Sequence, residues 1–75
     1  MKVNVILVNN KVEHVIADYK KALDKYRELR DKAILKVYAA NDKYDINEDI
    51  DTYSISINIK TPELYSIKMF NCDVE

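Results

Sequence analysis

KVEHVIADYKKALDKYRELRDKAILKVYAA, residues 11–40, runs without a glycine or a proline. Val12, Ile16, Tyr19, Leu23, Tyr26, Ala33 and Val37 recur at alternating spacings of four and three, with Arg30 interrupting the seam and Leu29 beside it. That rhythm predicts one long amphipathic helix over 11–40. Asn10 suits its N-cap, Glu13 supplies an Asn-type capping box, and Asn41 can take the left-handed conformation that ends helices. At 1.5 Å per residue the helix would be about 45 Å long.

Around it the pattern changes to period two. Residues 2–8 read as a strand, with Val3, Val5 and Leu7 on one face and Ile6 and Val8 on the other. Asn9 and Asn10 end it. In 52–60, Tyr53, Ile55, Ile57 and Ile59 alternate with Thr52, Ser54, Ser56 and Asn58. Thr61, Pro62 and Glu63 suit a turn. A third strand follows to Cys72, with Tyr65, Ile67 and Met69 on one face and Leu64 and Phe70 on the other.

The expected architecture is α+β: a single domain over 1–75, ordered β-α-β-β, with a three-stranded sheet and one helix on its face. The parts are a strand at 2–8, the helix at 11–40, an acidic connection at 41–51 and a hairpin at 52–72. Strands this short span about 23 to 30 Å, so the helix overhangs the sheet. A homodimer sealed through Tyr26, Leu29, Ala33, Ile34 and Val37 is the expected remedy.

Size supports the need for a partner. A chain of 75 residues buries only about 60% of its unfolded surface. With one cysteine and one histidine it can form neither an internal disulfide nor a Cys/His zinc cage. Cys72 is expected to be a half-buried hydrophobe. The net charge of -1 gives no global field for nucleic acid. No apolar run approaches the roughly 20 residues of a membrane helix, and Met1-Lys2 opens no signal-peptide pattern. A lone thiol without such a signal fits a cytoplasmic protein.

The near-neutral total hides a division. Residues 11–40 carry eight basic and five acidic side chains, and 41–51 hold Asp42, Asp45, Glu48, Asp49 and Asp51 against Lys43. A solvated loop is the plain reading of that segment. The functional reading is a partner-binding surface made of those five acids with Tyr38 and Tyr44 as anchors. Asp45, Asn47 and Asp49 imitate the start of a calcium loop, but Ile50 stands where such a loop needs glycine.

No catalytic residue, metal ligand or cofactor site is assigned. Without glycine there is no phosphate-cradling loop, and His14 has no Ser or Cys near it in sequence. Lys21, Lys25, Lys32 and Lys36 could follow a phosphate backbone, with Asp24, Glu28 and Asp31 interspersed.

The small size, the absence of glycine and the heavy use of Ile, Lys, Asn and Tyr resemble the small early host-takeover proteins of phages that infect low-GC Gram-positive bacteria. The resemblance is compositional. It implies a non-enzymatic inhibitor of a host DNA-handling protein of replication, transcription or the nucleoid, acting in the host cytoplasm. The acidic segment would be a partial DNA mimic. Two alternatives stand beside it: a nucleic-acid-binding regulator using the lysine face, and an assembly protein acting through the helix seam.

Overall fold

The computed structural model describes residues 2–40, 43–51, 54–61 and 64–73. The elements are β1 (Lys2–Val8), β2 (Lys11–Ile16), α1 (Tyr19–Ala40), β3 (Asp45–Ile50), β4 (Ser54–Lys60) and β5 (Leu64–Asp73). They form an antiparallel five-stranded sheet in the order β2-β1-β5-β4-β3, with α1 on one face. The class is α+β, but the expected three-stranded sheet is wrong by two strands. The helix stop at Asn41, the Asp42 carboxylate, the strand start at Thr52 and Tyr53, and the turn at Pro62 and Glu63 lie outside the described residues.

The first additional strand comes from the start of the expected helix. Residues 11–16 fold back on β1 as β2. Asn9 and Asn10 are no helix cap. Both have positive φ, 51° and 67°, and they join Val8 to Lys11 as a two-residue hairpin turn. That geometry matches the right-handed twist of the strands, and asparagine tolerates it among non-glycine residues. Asn9 is held twice: its N–H donates to the Ser66 carbonyl at 2.9 Å, and its Oδ1 accepts from the Ser66 N–H at 3.0 Å.

The helix starts later, where Asp18 caps it. Asp18 Oδ1 accepts from the Lys21 N–H at 3.1 Å, and the Asp18 carbonyl takes the first helical bond from Ala22 at 3.0 Å. The 22 residues of α1 extend about 33 Å. The ten residues of β5 also extend about 33 Å. The length mismatch that argued for a helix-to-helix dimer is therefore gone.

Ala22, Tyr26 and Ala33 are the buried helix residues, and the two alanines let the backbone approach the sheet. They pack on Ile6, Ile57, Ile59, Ile67 and Met69, with Leu23, Leu29, Ile34 and Val37 at the margins. Tyr19, expected in the seam, is exposed.

A buried polar residue ties this layer together. Asn4, 2% exposed, donates through Nδ2 to the carbonyls of Ile16 at 3.1 Å and Ala17 at 3.4 Å. Its Oδ1 accepts from Asn71 Nδ2 at 3.2 Å. It thus fixes the end of β2 and the path into α1 while satisfying its own amide.

Among the described residues no element covers the face away from the helix, which is open apart from the buried Val3. Its β1 side carries Val5 and Leu7, and its β4 side carries Ser54, Ser56, Asn58 and Lys60. Cys72 is exposed, not half-buried.

Candidate protein-binding edge at β3

The second additional strand contains the acidic segment. Asp45–Ile50 was expected as a connection; it is the outer strand β3, paired with β4 from Asp45↔Lys60 to Ile50↔Ile55 without a register shift. Every residue of it is solvent-exposed. Pleating divides its side chains between two faces. Ile46, Glu48 and Ile50 share the helix side with Ile59, Ile57 and Ile55, while Asp45, Asn47 and Asp49 share the open side with Lys60, Asn58 and Ser56. A strand does not curl its oxygens around a cation, so the calcium-loop likeness ends there.

Glu48 is therefore separated from the other acids. Its Oε2 accepts from the Tyr26 hydroxyl at 3.2 Å and from Arg30 Nη1 at 3.2 Å. Arg30 Nε also donates to Asp31 Oδ1 at 3.3 Å. The Glu48 and Arg30 side chains are 30% and 25% exposed. Arg30, the break in the apolar seam, is what lets α1 clamp the outer strand. Burial opposes its charge, but the hydrogen bonds to Glu48 and Asp31 hold its guanidinium above its ordinary range.

The Tyr26 hydroxyl is also pushed up, first by burial, then by the charge and the hydrogen bond of Glu48. The folded state thus prefers the neutral phenol. A free tyrosine ionises at about pH 10, so this contribution is complete below pH 10 and is lost as the pH climbs above it. Titrating the protein at 295 nm against Tyr26→Phe should show one phenol that ionises only together with unfolding. Ionisation of that phenol near pH 10 with an intact circular dichroism spectrum would contradict the burial.

Asp45 and Asp49 differ from Glu48. They are exposed on the open side, and neither makes an ion pair among the described residues. Just before them, Tyr38 at the end of α1 and Tyr44 pack edge to face, with centroids 4.9 Å apart at 72°. Hydrogen bonding to Tyr38 raises the Tyr44 hydroxyl. Tyr38 stays exposed. Of the expected binding residues, the structure thus pairs the tyrosines, aligns Asp45 with Asp49 and turns Glu48 inward; Asp51 follows the strand.

The expected seam residues are distributed otherwise. Tyr26 and Ala33 are 0% and 5% exposed, enclosed by their own sheet, and Leu29, Ile34 and Val37 pack at the core's edge. Among the lysines, Lys25 and Lys32 both reach Glu28, at 3.5 Å and 3.1 Å. The Glu28 carboxyl is lowered chiefly by its hydrogen bond to Lys32.

Sequence reasoning missed Ile46 and Ile50, which are 39% and 77% exposed on the helix side of β3. Their spacing of four, with acids between, was the available signal. Among the described residues, no helix is long and apolar enough to cross a membrane. Comparison with protein-family models, curated proteins and solved structures finds no match for this chain.

Proposed function

We propose that this chain is a non-catalytic binding protein whose β3 edge engages a basic surface of a host DNA-handling protein and blocks it. The observation that carries this reading is the pair of exposed carboxylates, Asp45 and Asp49, aligned on an outer strand without an ion pair among the described residues. Tyr38 and Tyr44, packed together beside that strand, supply a rigid aromatic anchor. The compositional likeness to phage early proteins supplies the kind of target. The lysine face is the weaker surface for a nucleic acid, because Glu28 draws in Lys25 and Lys32.

The test is capture from a low-GC Gram-positive lysate by the immobilised protein and by Asp45→Asn/Asp49→Asn. The wild type should retain a nucleic-acid-handling protein that elutes as salt is raised, and the variant should retain at least about tenfold less, since paired exposed charges act together in steering and holding a partner. Both should melt at similar temperatures. Equal capture by the two proteins, or a gel shift of free DNA by the wild type, would overturn the reading.

A further inference from the structure

We infer that β3 binds its partner by strand addition: an extended basic segment of the partner becomes the sixth strand of the sheet. This rests on the protein-binding reading above and adds the mode and the sequence pattern that the edge selects.

The backbone carries the argument. The Asp51 N–H donates to the Ser54 carbonyl at 2.8 Å, which makes those two a hydrogen-bonded pair. Such pairs alternate along an antiparallel ladder. Asp49, Asn47 and Asp45 therefore turn their N–H and C=O groups toward β4, and Ile50, Glu48 and Ile46 turn theirs outward. No described strand pairs with that side. An outward row of donors and acceptors on a regular strand is a template for another chain. The opposite edge differs: β2 slips register against β1 between Ile6 and Leu7, the kind of bulge that spoils an edge for pairing.

The side chains choose the occupant. A second copy is disfavoured. The two antiparallel registers that pair most of β3 with a two-fold mate put Asp45 opposite Asp49, or Glu48 opposite itself, and like charges directly opposite are destabilising. A nucleic acid is repelled by the same acids. An extended basic peptide fits both faces. Read from its N-terminus, the added strand places an apolar residue against Ile50, a basic one against Asp49, two polar residues against Glu48 and Asn47, an apolar one against Ile46 and a basic one against Asp45. Glu48 is already engaged by Tyr26 and Arg30, so no third cation is required.

The experiment uses the full chain, isotopically labelled, and a soluble peptide with Ile-Lys-Thr-Thr-Ile-Lys at its centre. Two controls accompany it: the same residues reordered to lose the alternation, and the original order methylated on the backbone nitrogens that face β3. The patterned peptide should bind at least about tenfold tighter than either control, because each lost edge hydrogen bond costs on the order of tenfold or less and several are lost together. Amide shifts and hydrogen-exchange protection should centre on Ile46, Glu48 and Ile50.

Ile50→Pro removes one outward N–H without touching a bond to β4 or any charge, and it should weaken the patterned peptide about tenfold. The methylated peptide keeps the test decisive if that variant folds poorly. If the patterned and reordered peptides bind alike, and both weaken in Asp45→Asn/Asp49→Asn, strand addition is overturned while the acidic binding surface stands. If neither peptide binds, both readings fall.

Discussion

Replacing Tyr26 with alanine is expected to abolish the cooperative thermal transition. The side chain is fully enclosed among α1, the sheet and Glu48. Truncating a buried aromatic costs about 3–5 kcal/mol through lost burial and the cavity left behind. Small domains lie near the low end of the ~5–15 kcal/mol range of native stability, so one such loss is comparable to the whole. Tyr26→Phe isolates the hydroxyl: it keeps the ring and should cost only about 1 kcal/mol, or ~4–8 °C in Tm. Thermal melts followed by far-UV circular dichroism check both. A Tyr26→Ala protein melting within a few degrees of wild type would mean that the helix does not dock as described.

Tyr26 shows how much of this fold is legible in the chain itself. The apolar rhythm finds α1 over 19–40 and turns Tyr26 and Ala33 inward, though it misplaces Tyr19 and misses Ala22, and the alternation in 54–60 and 64–73 locates two inner strands. The failures before residue 19 share one cause. Val12 and Ile16 are four apart and read as one face of a helix, whereas the bulge in β2 sets them on opposite faces of the sheet, Val12 against Leu7 and Ile16 against Asn4. What separates strand from helix is local: Val12, Val15 and Ile16 are β-branched, and Asn9-Asn10 is a better hairpin turn than cap. Asp18, the actual cap, lies inside a pattern that already reads as helix. With β2 counted as helix, the helix comes out too long and the sheet too narrow, and the length argument for a dimer seam rests on that error.

β3 is hidden by composition. Asp, Asn and Glu disfavour strands, so DINEDI reads as a loop, yet charges suit an outer strand, where they exclude a like-charged edge such as a second copy. Within the proposed binding surface, nearness in sequence leaves Tyr38 and Tyr44 able to meet, and they pack together. It cannot show that Glu48 points away from Asp45 and Asp49, because that depends on pleat direction, which only a strand assignment supplies.

That division yields an expected result with direct bearing on function. Glu48→Ala should destabilise the protein by about 2–3 kcal/mol, whereas Asp45→Asn and Asp49→Asn should change stability by less than about 0.5 kcal/mol. Removing Glu48 leaves the buried Tyr26 hydroxyl without its acceptor and the partly covered Arg30 with Asp31 as its remaining carboxylate. An orphaned buried donor costs more than an exposed ion pair contributes. The loss should shrink when Tyr26→Phe is added, since the orphan is then gone; a double-mutant cycle measures that coupling. Additive effects would show that Glu48 acts as one more surface acid. Coupling means that Glu48 fastens the outer strand to the helix, and so holds straight the edge on which Asp45 and Asp49 are displayed. A Glu48 variant that loses partner binding must then be compared at equal folded fraction before the loss is assigned to contact, because a frayed β3 would lose the partner with both aspartates intact.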